Sequence, residues 1–274
     1  MSNTLKIKDF SIPSLGFGTF KLNGESCHNA VKVALDAGYR HIDTAQIYEN
    51  EEEVGAAIKE SGVSRQDLWL TTKVWFRKAK AKEVRASTLE SLKKLQTDHV
   101  DLLLFHWPNN DVPMEETLGE MARLKDEGKA RAIGVSNFTS TLLKQALECA
   151  PIICNQVEFH PRLDQRLLLG MCQKHDLMLT AYSPLAQAKI LKDDEFLKLA
   201  AEAKIPPAEL SLAWLLRKDK VAAIPRSSSE ENIRANFRAR DHVIDESLSL
   251  RIDALMGDQR MISPDFSPAW DAPL

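Results

Sequence analysis

Short apolar runs separated by longer amphipathic stretches recur along this chain of 274 residues with little variation. The runs fall around residues 40–43, 69–74, 101–106, 131–135, 152–157, 178–182 and 221–224. VDLLLFH and ARAIGVS are nearly continuous in apolar character. That pattern suits strands covered on both faces, as in parallel sheets. The intervening stretches carry helical spacing. Val31, Ala34, Leu35 and Gly38 fall at i, i+3, i+4 and i+7, with the glycine suited to a C-terminal cap. Val54, Ala57 and Ile58 form one apolar face. Met114, Leu118, Met121 and Ala122 repeat the stripe until Gly128, and Leu142, Leu143, Ala146 and Leu147 repeat it after Thr139. Further helices are predicted over 81–96, 165–175, 194–203, 207–217, 229–237 and 246–256.

Residues 5–18 read as a short hairpin followed by a first strand near 15–18. With that strand the count reaches eight βα units, and such alternation means a parallel sheet with right-handed crossovers. The expected fold is α/β: a (β/α)8 TIM barrel with an N-terminal β-hairpin and extra C-terminal helices. One domain over 1–274 is expected, since no linker or second composition interrupts the pattern. A doubly wound open sheet is the rival. It usually needs a glycine-rich first turn, and GFGTFK at 16–21 lacks the third glycine of GxGxxG.

Composition narrows the partners. The formal net charge is -3, with the basic residues dispersed, which argues against nucleic acid. The start, MSNTLKIKDF, has no apolar signal core, and no run reaches membrane-span length. No membrane partner is therefore expected, and the chain is read as a cytoplasmic monomer. Cys27, Cys149, Cys154 and Cys172 show no metal spacing. They are expected to be free buried thiols in a reducing compartment, with no metal site.

Polar residues stand where the apolar runs end. Asp43, Lys73, His106, the pair Ser136 and Asn137, Gln156, Tyr182 with Ser183, and Arg226 with Ser227 each close a predicted strand. In such barrels the chemistry sits at the C-terminal strand ends. Asp43, Tyr48, Lys73 and His106 make one coherent set. Reducing a carbonyl needs a hydride on carbon and a proton on oxygen. A tyrosine can supply the proton, although its free pKa of about 10 makes it sluggish near neutrality. A lysine cation beside it is expected to lower that pKa, and a carboxylate keeps the lysine charged. Histidine can orient the substrate oxygen. The same residues admit other readings: a structural Lys73–Asp43 pair, a Schiff-base Lys73 as in barrel aldolases, and a core His106.

GYRHIDTAQIYENEEEVG (38–55), TTKVW (71–75), LLFHWP (103–108), GVSNF (134–138), NQVEFHP (155–161), AYSPLA (181–186) and IPRSSS (224–229) occur in the order and spacing of the aldo-keto reductases. The chain resembles that family over essentially its whole length, and in its shortness resembles the bacterial members acting on methylglyoxal and 2,5-diketo-D-gluconate. The resemblance implies NADPH/NADP+ as cofactor without a Rossmann fold, and Tyr48 as general acid supported by Asp43, Lys73 and His106. It implies that Ser136, Asn137 and Gln156 hold the nicotinamide carboxamide and that Tyr182 stacks on the ring. Ser183, Pro184 and Leu185 would meet the pyrophosphate. Arg226, Ser227 and Ser228 would hold the 2′-phosphate, with Asn236 near the adenine. A guanidinium, hydroxyls and a helix start suit a phosphate on physical grounds as well. Ser229 followed by Glu230 and Glu231 would cap that helix. Two departures stand out. Asn232 replaces an arginine and Ala235 a glutamate of many members, which would weaken the preference for NADPH over NADH.

By the same resemblance, Phe20, Ile47, Trp75, Trp107 and Trp270 line the substrate cavity. Trp270 falls in a tail, SPAWDAPL, that reads as mobile. The short connection at 107–114 and the short tail imply an open site for small polar dicarbonyls or keto-sugar acids. Arg77 and Lys78 are candidates to meet a substrate carboxylate. Two other functions compete with this reading: a cofactor-binding regulatory subunit with little turnover, and a lyase or aldolase working through Lys73.

Overall fold

The computed structural model describes residues 3–274. Eight parallel strands run β3 (Phe17–Gly18), β4 (His41–Asp43), β5 (Trp69–Val74), β6 (Val100–Phe105), β7 (Ala130–Ser136), β8 (Cys154–Glu158), β9 (Met178–Tyr182) and β10 (Val221–Ala223), each beside its sequence neighbour. The sheet curls shut because Ser14–Gly18 also runs along β10. Ala223 N donates to Ser14 O at 2.9 Å, Gly16 N to Ala223 O at 2.9 Å, and Gly18 N to Pro225 O at 3.0 Å. The glycines of GFGTF serve this seam. A Cβ on Gly16 would meet the His41 ring at 2.8 Å, and one on Gly18 would meet Ile224 O at 2.9 Å. They let two strands approach, so the segment is a barrel closure and not a phosphate loop.

The hairpin β1 (Thr4–Ile7) and β2 (Phe10–Pro13) plugs the N-terminal end. Its fully buried Ile7 and Ile12 pack with Trp69, Leu102, Leu104 and Met178 inside the barrel. Around the sheet lie α1 (Gly24–Ala37), α2 (Glu51–Glu60), α3 (Ala81–Lys94), α4 (Met114–Asp126), α5 (Ser140–Cys149), α6 (Arg166–Lys174), α7 (Asp194–Ala203), α8 (Pro207–Arg217), α9 (Glu230–Arg238) and α10 (Glu246–Asp253). The predicted stripes are the buried faces: Val31, Ala34 and Leu35 on α1, and Val54, Ala57 and Ile58 on α2. Gly38 caps α1 at φ 108°, donating to Ala34 O and Leu35 O.

Differences from the sequence reading are small and local. His106 stands one residue beyond β6, and α10 stops at Asp253. Cys27, Cys154 and Cys172 are buried and free, whereas Cys149 is only half-buried. Burial pushes the Cys27 and Cys154 thiols up to about 12, so they are inert. Among the described residues no helix is long and apolar enough to cross a membrane.

Candidate active site

The C-terminal strand ends open into a cavity of about 570 Å³. Asp43 lines its floor, with Lys73 paired to it from beneath. Lys73 is fully buried on β5 and Asp43 is buried at the end of β4. Lys73 Nζ donates to Asp43 Oδ1 at 2.5 Å, Thr44 O at 2.8 Å and Tyr48 Oη at 3.3 Å. An ammonium has three donors, and all three are used. Asp43 Oδ2 accepts from Gln156 Nε2 at 2.7 Å, so both carboxylate oxygens are engaged. Tyr48 sits in a 3-10 turn, Gln46–Tyr48, that Glu49 closes at φ 55°. Asn50 holds that turn in place. It accepts from Thr44 Oγ1 at 2.7 Å and donates to Thr19 O and Leu22 O at 2.9 and 2.8 Å. His106 meets the Tyr48 ring edge-on at 5.7 Å and the Trp75 ring at 5.5 Å. Its Nδ1 is buried without a partner. The four residues singled out in the sequence therefore converge.

Burial lowers the Lys73 pKa, and Asp43 opposes that shift. Burial and then the Lys73 charge hold His106 well below the usual histidine value, so its imidazole is neutral. The sequence reading expects Lys73 to lower the Tyr48 pKa. The structure gives the opposite direction: burial, and then the Asp43 carboxylate, push the phenol well above its ordinary value. The ammonium is paired with Asp43 at hydrogen-bond distance, and the charge of that carboxylate acts on the phenol in the raising direction. The resting phenol is protonated.

On one side the cavity is walled by Asn137, Gln156, Tyr182, Ser183, Pro184, Leu185 and Arg226. Tyr182 Oη donates to Asn137 Oδ1 at 2.7 Å, and Asn137 Nδ2 donates to His106 O and Ser136 Oγ at 3.0 and 3.1 Å. Ser136 is buried behind the wall and donates to Gln156 O at 2.8 Å. Among the described residues nothing donates to Gln156 Oε1. An amide oxygen left free at a cavity wall fits a carboxamide N–H. At the mouth Arg226 donates through Nε to Phe20 O at 3.0 Å and through Nη2 to Lys21 O at 2.9 Å, leaving Nη1 unengaged. Ser227, Ser228 and Asn236 do not line the cavity. Ser227 is buried, Ser228 is exposed before α9, and Asn236 is buried on α9. Ser229 caps that helix, accepting from Asn232 N, as the sequence suggested.

On the other side stand Phe20, Ile47, Trp75 and Trp107, as expected. Trp270 does not line the cavity. A turn in which Ser267 N donates to Pro264 O points Phe266 inward, and Ile262 and Phe266 form the wall instead. Phe266 stacks on Phe76 at 4.6 Å and meets Trp107 edge-on at 5.3 Å. Trp270 lies outside Trp107, under the Arg260 guanidinium at 3.8 Å. The tail read as mobile is tied down: Asp271 accepts from Ser140 N and Oγ, and Leu274 N donates to Asp164. Arg77 and Lys78 lie on a 3-10 turn after Trp75 and do not line the cavity. The sequence reading also missed Gln187 and Ala188. They line the cavity within a left-handed run, Ala186–Ala188, at φ 49°, 52° and 69°. Non-glycine residues there cost ~1–3 kcal/mol each, and no glycine announces them.

The profile of the Aldo/keto reductase family matches residues 14–256. Methylglyoxal reductase DkgB of Escherichia coli O157:H7 is 40% identical over 267 residues, covering 95% of this chain and 100% of that protein. Glyoxal reductase of Bacillus subtilis is 40% identical over 265 residues, covering 95% of each. A crystal structure assigned as a 2,5-diketo-D-gluconic acid reductase B superposes with a TM-score of 0.96 at 38% identity, covering 99% of this chain and 98% of that one. The chain belongs to the aldo/keto reductase family and is an oxidoreductase acting on carbonyl groups.

Proposed function

We propose that this chain reduces small dicarbonyls such as methylglyoxal, or keto-sugar acids such as 2,5-diketo-D-gluconate, with NADPH, and that Tyr48 delivers the proton. The observation that carries this reading is the direction of the hydrogen bonds around Tyr48. The phenol oxygen accepts from Lys73, so its own O–H is free to point into the cavity. A bound NADPH supplies the hydride. Gln156 Oε1 and the second lone pair of Asn137 Oδ1 would hold its carboxamide, the Tyr182 ring its nicotinamide, and Arg226 Nη1 its 2′-phosphate. The relatives named for methylglyoxal and glyoxal support the substrate class, as does an aromatic cavity with few polar groups.

In this reading the substrate oxygen sits between Tyr48 and His106. A neutral His106 protonated on Nε2 donates to that oxygen and leaves the lone pair, not an N–H, at the buried Nδ1. As negative charge develops on the oxygen, the Tyr48 proton crosses to it. The phenolate left behind lies beside the Lys73 ammonium, 3.3 Å away. Lys73 thus acts on the product of proton transfer rather than on the resting acid.

Two results are expected. First, the rate of single-turnover reduction is flat from about pH 7 to about pH 9. Tyr48 is raised, so its acid form persists up to above 10 and is lost only beyond that; His106 is lowered, so it stays neutral until well below 6.5. A decline centred below pH 9 in a pH-jump stopped-flow series contradicts the flat profile, and its persistence or loss in Tyr48→Phe tells the lowered Lys73 ammonium from an unraised phenol as its source. Second, Arg226→Ala raises the KM for NADPH roughly tenfold or more with little change in kcat, because it removes ground-state binding. Steady-state titration with NADPH and NADH checks this: the preference for NADPH narrows, and an unchanged ratio rules out Arg226 as the phosphate partner.

A further inference from the structure

Glu158 ends β8 two residues beyond Gln156, so both side chains leave the same face of the strand. It is fully buried, and no step described above uses it. Its carboxylate is nevertheless fully employed. Oε1 accepts from His160 Nε2 at 3.0 Å and from Met261 N at 2.7 Å, and Oε2 accepts from Ile262 N at 2.9 Å. Two successive backbone amides of the tail are thus held by one buried anion. The tail reaches this point along the β8–α6 connection, with Asp164 N donating to Gly257 O and Gln259 N to Arg162 O. Beyond the clamp, Ile262 and Phe266 enter the cavity wall, and Asp271 fastens the far end to Ser140. Between the two fastenings the segment contains no helix or strand. Its position against Trp75 and Trp107 therefore depends on those anchors.

We propose that Glu158 is a positioning residue for substrate selection: by fixing Met261 and Ile262 it sets how closely Ile262 and Phe266 approach a bound carbonyl compound. The inference rests on the reductase reading of the cavity given above. A large substrate that reaches the tail wall feels the clamp, and methylglyoxal, held at Tyr48 and His106, feels it little. The side chains on the nicotinamide side of the cavity, Asn137, Gln156 and Tyr182, bond to one another, to Asp43 and to the His106 and Ser136 positions, and not to Met261 or Ile262.

The test uses the whole chain with Glu158→Gln. One carboxamide oxygen cannot serve three donors, and its NH2 must face one of them. Hydrogen exchange at Met261 and Ile262 is expected to speed up roughly tenfold or more, the scale of a lost charge-assisted bond. Exchange in β4 and β5 stays as in the parent. The KM for a bulky aromatic aldehyde rises roughly tenfold while its kcat falls less than about threefold, and the KM for methylglyoxal changes less than about threefold. Glu158→Asp, too short to span both amides and His160, gives intermediate values. Phe266→Ala, which leaves the clamp intact, reproduces the KM change without the exchange change. These two variants keep the test open if the glutamine chain does not fold. Slow exchange at Met261 and Ile262 in the Gln and Asp variants overturns the proposal. So does an equal loss for methylglyoxal and the bulky aldehyde, or an unchanged KM for both. If the parent chain turns over neither aldehyde, the reductase reading fails, while the exchange data still report on the clamp.

Discussion

Tyr48→Phe is expected to cut turnover roughly 10²–10⁴-fold, the span for loss of a general acid, with NADPH binding retained. The side chain loses one oxygen and keeps its ring, so the edge contact with His106 and the packing against Phe20 at 5.0 Å survive. Lys73 loses one of three acceptors but keeps Asp43 and Thr44 O. The cavity wall that would hold NADPH contains no atom of Tyr48 Oη. Hence kcat falls, whereas the Kd for NADPH from fluorescence quenching stays within about twofold of the parent. Near-parental turnover places the proton source elsewhere.

Asp43→Ala is expected to be the most damaging change to stability among the site residues. Removing one partner of a buried pair leaves an uncompensated charge and typically costs ~3–5 kcal/mol. For a chain of this size that corresponds to a fall in Tm of about 10 °C. Gln156 Nε2 loses its acceptor as well, so the damage reaches the wall proposed to hold the cofactor. Lys73, without its counter-ion, is driven further toward the neutral amine by burial and can no longer stabilise a phenolate. Turnover is expected to fall at least as far as in Tyr48→Phe. Calorimetry and single-turnover kinetics on the same preparation check both parts. A Tm within about 2 °C of the parent means that the pair is not the electrostatic floor of the site.

Much of this was legible in the sequence for a physical reason. Strands buried on both faces must be apolar, so VDLLLFH and ARAIGVS stood out, and a polar residue closing each run marked the strand end where barrel chemistry sits. Asp43, Lys73 and His106 could be picked out without coordinates on that basis, and Tyr48, five residues beyond Asp43, by its chemistry beside them and by the family motif that holds it. The tail carries no periodicity, so nothing in SPDFSPAWDAPL distinguished the inward Phe266 from the outward Trp270. That choice rests on a turn at Pro264 and on the Arg260 stack. The left-handed run at Ala186–Ala188 lacks the glycine that would signal it. The direction of the Tyr48 shift was illegible because it depends first on how deeply the phenol is buried, and then on the Asp43 carboxylate. Lys73 next to the phenol predicts a lowered pKa, and Lys73 already paired with Asp43 does not. Glu158 and His160 sat in plain view within NQVEFHP, yet the donors that give Glu158 its use lie about a hundred residues away.

A protonated phenol aimed at a substrate oxygen, with a reduced nicotinamide beside it, makes one demand that other uses of this barrel do not. Mixing the chain, preloaded with one equivalent of NADPH, with methylglyoxal in a stopped-flow spectrometer tests it most directly. The account predicts a single exponential loss of nicotinamide absorbance equal to the bound cofactor, slowed as far as its turnover in Tyr48→Phe. Retained absorbance on mixing, or a borohydride-trapped adduct on Lys73 in its place, would contradict it.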